Sequence, residues 1–165
     1  MALESEIGTA MTIDEISFER SYFGNPDTIG HTLNDFSIYM GLCASDQLVD
    51  TYDDNFVPGT KTLVYTRSSV AFYAAPWEWI EIPLDTPYWF SGQDNLLIEI
   101  DWSSGYGSTD HFLTWHWDAG PNRILYGDYG TSTGTLGSLV DFMMLTGTLG
   151  LDQSTFGGIK SLFVR

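Results

Sequence analysis

Apolar residues in this chain recur at every second position, in short runs that turn residues interrupt. Phe36, Ile38, Met40 and Leu42 keep one phase, as do Leu96, Ile98, Ile100 and Trp102, with Glu99 and Asp101 between them. A period of two places such residues on one face of an extended strand, whereas a helix repeats at 3.6. Nowhere does a run of a dozen residues repeat at helical spacing. Turn signals such as Gly24-Asn25-Pro26-Asp27, Pro58-Gly59 and Ser91-Gly92-Gln93-Asp94-Asn95 separate the runs. Between Ile13 and Ile16 the phase slips by one residue, as at a β-bulge. Many short strands at regular intervals predict an all-β sandwich or barrel with negligible helix. Its predicted core includes Phe36, Ile38, Leu96, Ile98, Ile100, Leu113 and Trp115.

At 165 residues with 43% hydrophobic content, the chain is long enough to bury one core and too apolar to be disordered. The pattern predicts a β-sandwich domain over residues 1–146, followed by a Gly-rich C-terminal tail over 147–165 with an apolar end. In that tail, Ile159, Leu162, Phe163 and Val164 are the residues suited to dock along a strand edge or into a groove. Cys43, the sole cysteine, lies between Leu42 and Ala44 and reads as a small buried thiol.

Twenty-two acidic residues face six basic ones, a net charge of −16. Such a surface repels phosphate, which excludes nucleic acid as a partner and disfavours an anionic membrane. No apolar run reaches the length of a membrane span, so no membrane insertion is expected. The charge serves solubility, or some of the acids collect cations. Asp50, Asp53, Asp54 and Asn55 offer hard oxygen ligands in one loop, and Ca²⁺ is the cation they would take. The loop lacks the spacing and the glycine of an EF-hand.

Catalytic patterns are sparse. Gly130-Thr131-Ser132-Thr133-Gly134 matches G-x-S-x-G, but Thr135-Leu136-Gly137-Ser138 follows where that nucleophile needs a helix. His111 and His116 have opposite parity on a strand and face opposite ways, which does not suit a shared metal. Trp115 and Trp117 share a face with Leu113 and read as core, the alternative being an exposed sugar-stacking platform. Aromatics make up 15% of the chain, more than a core of this size needs. Trp77, Trp79, Tyr88, Trp89 and Tyr106 are therefore the expected ligand or subunit contacts, with Trp77 and Trp79 as an outward pair.

Leu33-Asn34-Asp35-Phe36-Ser37-Ile38-Tyr39-Met40-Gly41, then Thr62-Leu63-Val64-Tyr65, form the start of an ordered motif series. Trp79-Ile80-Glu81-Ile82-Pro83-Leu84 through Phe90 and Ser91-Gly92-Gln93-Asp94-Asn95-Leu96-Leu97-Ile98-Glu99-Ile100 continue it. The series resembles the β-sandwich modules of large secreted bacterial surface proteins, found before C-terminal sorting or anchoring segments, as in cargo proteins of gliding bacteria. The resemblance covers roughly residues 4 to 145. It implies an antiparallel two-sheet, jelly-roll-like β-sandwich, secretion to the bacterial cell surface, and no catalytic residues.

The expectation is a non-enzymatic extracellular structural or interaction module, for adhesion or for self-assembly into a surface structure such as a filament. Its partners would be protein, either itself or neighbouring surface domains, or glycan. The alternative is a carbohydrate-binding module using the exposed aromatics. A third reading, a jelly-roll glycan-active enzyme, needs two facing carboxylates in a cleft.

Overall fold

The computed structural model describes residues 1–22, 27–107 and 114–149, with the backbone alone at Ile29. The chain is an all-β, sandwich-like domain of antiparallel strands. One sheet has the order β11-β1-β4, formed by Met143–Leu149, Met11–Glu19 and Trp79–Phe90. The other is built on the 15-residue strand β2, Ile29–Cys43. Along one side of β2 runs β3, Thr62–Ala74. Along the other run β5, Asn95–Asp101, and then β6, Ser104–Gly107. Two ribbons complete the fold. One pairs β7, His116–Asp118, with β10, Leu139–Asp141; the other pairs β8, Ile124–Tyr126, with β9, Thr135–Gly137. The only helical pieces among the described residues are single turns at Glu4–Ile7 and Asp53–Asn55.

Burial follows the alternation. Ile13 and Ile16 of β1, Ile38 and Met40 of β2 and Phe90 of β4 are fully buried, and they join Val64 and Leu96 in one core between the sheets. Each such side chain contributes about 1.5–3 kcal/mol by leaving water. The phase slip in β1 is a bulge at Asp14, which is why Ile13 and Ile16, of opposite parity, both face inward. On the β4 side the irregularity is larger. Ile13 pairs with Tyr88 and Glu15 with Pro83, so Leu84-Asp85-Thr86-Pro87 is extruded from the ladder. Asp85 in that loop takes a two-pronged bond from Arg67 of β3, at 2.6 and 2.9 Å.

Several expectations need correction. Ile98 and Ile100 are only partly buried, because β5 lies at the edge of its sheet. Leu97, on the opposite face, is 7% exposed; it packs with Cys43, Leu48 and Phe56 in a second small core. Both faces of β5 are thus covered near its start. Trp102, expected inside, lies beyond the end of β5 and is 46% exposed. Ser104 to Gly107 form strand β6, whose two glycines allow close pairing with β2. Trp115 is half-buried and Trp117 exposed. The buried position assigned to Leu113 lies outside the described residues, as do His111 and the tail residues Ile159, Leu162, Phe163 and Val164.

Candidate binding groove

Asn55 organises the wall of the groove. The peptide stretch around it is irregular, so its backbone groups have no ladder to satisfy them. Asn55 is 8% exposed, and its amide substitutes for that ladder. Its Oδ1 accepts the Val49 N–H at 2.8 Å, and its Nδ2 donates to the carbonyls of Val49 at 3.0 Å and Thr51 at 2.7 Å. The clamped loop is stitched to a segment about 80 residues further on. Tyr52 N–H donates to Ser132 O, and Gly134 N–H donates to Asp50 O. Asn55→Ala removes all of these bonds from a buried site and is expected to cost about 2–3 kcal/mol, read as a lower midpoint in urea unfolding. A loss of only a few tenths would mean that the loop holds itself.

Between this loop, the end of β5 and the β8–β9 hairpin opens a groove of about 700 Å³. That is within the range of small-molecule sites. Its aromatic lining includes Tyr52, Trp102, Tyr126 and Tyr129. The Tyr126 and Tyr129 side chains are more than half exposed. Its carboxylates include Asp53, Glu99, Asp101 and Asp128, and Thr51, Ser103, Thr131 and Ser132 add hydroxyls. The Tyr52 hydroxyl reaches between two strand ends where only glycine fits: a Cβ on Gly127 would lie 2.9 Å from it, and one on Gly134 2.7 Å. Burial, and then the charges of Glu99, Asp101 and Asp128, push the Tyr52 hydroxyl above its ordinary value. It therefore stays protonated and able to donate a hydrogen bond at neutral pH.

Lys61 is the groove's basic residue among the described ones. Its ammonium lies 2.9 Å from Asp53 and 2.9 Å from Glu99. It also sits 5.0 Å above the Tyr39 ring and 4.8 Å above the Phe56 ring. Burial pulls its pKa down, but the bonds to Asp53 and Glu99 outweigh burial and hold it above the ordinary lysine value. No ion pair joins Asp101 or Asp128 among the described residues.

Of the residues singled out in the sequence, Asp53 and Asn55 line the groove and the aromatic contacts fall elsewhere. Of the expected calcium ligands, Asn55 Oδ1 accepts the Val49 N–H and Asp53 pairs with Lys61. No group of three metal-ligating side chains gathers among the described residues. Tyr88 cannot be a contact residue, since it is 8% exposed and part of the core. Its neighbour Trp89 alternates outward and is 56% exposed, and Tyr106 on β6 is 67% exposed. Trp77 and Trp79 do not form a pair. Trp77 precedes β4 in a tight turn closed by Glu78 N–H to Ala75 O, with a φ of 71°. It stacks on Tyr22 at 5.2 Å and lies 5.3 Å from Trp115. Trp79, on the strand, is instead 6.3 Å from Phe142. None of these five aromatic residues lines the groove.

The aromatic residues of the groove and its other carboxylates were missed because they come from three distant segments. The one local signal was Tyr126-Gly127-Asp128-Tyr129-Gly130, an aromatic and acidic loop spaced by glycines. The G-x-S-x-G segment beside it leads into strand β9 and not into a helix, so Ser132 lacks the strained elbow of that motif. Among the described residues no helix is long and apolar enough to cross a membrane. Comparison with known protein families, with curated proteins and with solved structures gave no match.

Proposed function

We propose that this domain is a non-enzymatic interaction module of a secreted or surface protein, and that its ligand is a carbohydrate held in the groove. One observation carries the reading: exposed aromatic rings and hydrogen-bonding side chains line a single concave surface of ligand size. A sugar ring has apolar C–H faces that settle on the negative face of an aromatic ring. Its hydroxyls need acceptors and donors at the edge, which carboxylates, Ser and Thr hydroxyls and the Tyr52 phenol supply. The motif resemblance to surface modules and the acidity of the chain support the extracellular setting.

A glycan array followed by calorimetry on the best hit tests this. Trp102→Ala and Tyr126→Ala are each expected to weaken binding about tenfold, the equivalent of about 1.4 kcal/mol. Both side chains are exposed and outside the buried core, so circular dichroism should be unchanged. An array with no hits would sink the carbohydrate reading. Release of shorter sugars from the bound glycan would make the domain an enzyme.

Self-assembly is a second reading with its own observation. Strand β11 is the edge of its sheet, and among the described residues no strand pairs with its outer side. Met144 and Leu149 on it are exposed. An open edge with apolar side chains is suited to adding a strand from another copy. Sedimentation that is independent of concentration would count against it.

A further inference from the structure

We infer that the groove selects sugars bearing a free, protonated amine, such as oligomers of glucosamine, over neutral and acidic ones. The inference rests on the carbohydrate reading above and specifies its ligand class.

Charge complementarity is the first ground. Asp53, Glu99, Asp101 and Asp128 line the groove, and Lys61 is held by two of them. Asp101 and Asp128 are left with no cationic partner among the described residues. A uronic acid or a sulfated sugar placed there would meet uncompensated like charge, which costs affinity and rejects the ligand. An ammonium on the sugar ring would supply the missing countercharge.

The second ground is that the protein already seats an ammonium in this groove. The Lys61 headgroup is bracketed by Asp53 and Glu99 and lies over the Tyr39 and Phe56 rings. Carboxylates flanking a cation and aromatic faces within about 6 Å of it are the two elements of ammonium recognition. Asp101 and Asp128 line the same groove as Tyr52, Trp102, Tyr126 and Tyr129, and no lysine pairs with either among the described residues. The aromatic faces and the row of hydroxyls from Thr51, Ser103, Thr131 and Ser132 favour a sugar backbone over a lysine side chain as the carrier of the amine.

The test compares the full chain's affinity for a glucosamine hexasaccharide, its fully N-acetylated counterpart, an oligogalacturonate and an oligolysine peptide. The amine sugar is expected to bind at least about tenfold tighter than the acetylated one, with the preference shrinking in molar salt. The double variant Asp101→Asn/Asp128→Asn keeps the shape and removes the charge, so the amine sugar should lose its roughly tenfold preference over the acetylated one. Equal affinity for the two sugars, or tighter binding of the acetylated form, would overturn the amine inference and leave the carbohydrate reading standing. Absence of binding to any glycan would remove both. Capture of oligolysine with no binding of either sugar would overturn the inference in favour of a protein partner.

Discussion

Arg20→Ala is expected to destabilise the domain by about 3–5 kcal/mol, lowering the melting temperature by roughly 10 °C for a chain of this size. Arg20 closes β1 and is fully buried. Its Nη1 donates to the carbonyls of Asp27 and Ala74, both at 2.8 Å. Its own N–H donates to Glu78 O at 2.9 Å, and its carbonyl accepts the Trp77 N–H at 3.0 Å. One residue thereby ties the end of β3 to the turn that starts β4. Alanine would keep the backbone bonds but would leave the buried Ala74 carbonyl without its donor and open a space the size of a long side chain. Lysine is not a substitute, since a single ammonium lacks the planar, multi-donor geometry of the guanidinium. Urea unfolding should show a lower midpoint with an unchanged slope. A loss under about 1 kcal/mol would mean that the surrounding backbone satisfies itself without the side chain.

The second large effect is expected at Gly147, where valine should cost about 3 kcal/mol. Gly147 lies in β11 opposite Ile13, next to the β1 bulge. There the two backbones approach so closely that a Cβ would fall on the Thr12 carbonyl. Rigid backbone cannot yield as a flexible side chain can, so the strand must shift outward. Leu145, which packs on the core from the same strand, would move with it. Hydrogen exchange should then quicken at the β1 and β11 amides and not across β2 and β3. Thr148→Ala, exposed and one residue away, serves as the control and should stay within about 0.5 kcal/mol. If Gly147→Val matched that control, the close approach would have no energetic weight.

The period-two alternation of Phe36, Ile38 and Met40, and the broken phase between Ile13 and Ile16, were enough to establish the all-β class and the bulge in β1. Strand parity is a local property: it depends on neighbours one and two residues away, so it can be read along the chain. The buried state of Cys43 followed from the same local reasoning. Arg20 shows the opposite case. A basic residue at a strand end reads as exposed, and only the convergence of the β1 end, the β3 end and the turn at 75–78 gives it carbonyls to bond and a reason to be buried.

The site was decided by tertiary structure for the same reason. Tyr52, Glu99, Asp101, Trp102, Tyr126 and Asp128 come from three segments far apart in the chain. What brings them together is the stitching of residues 50–52 to 132–134 and the docking of Leu125 and Leu136 against the second core. Asn55 shows its oxygen in the sequence but not its partner, and in the fold that oxygen accepts the Val49 N–H. Trp77 and Trp79 looked like a pair because parity assumes a strand, and the left-handed turn at Trp77 breaks that assumption. By itself, the sequence determined the strands, the main inward residues and the sign of the surface charge, since each depends on local spacing or on composition. Tertiary structure alone decided which exposed aromatics share a concave surface with which carboxylates, because long-range pairing brings together groups whose separation along the chain carries no record of their contact.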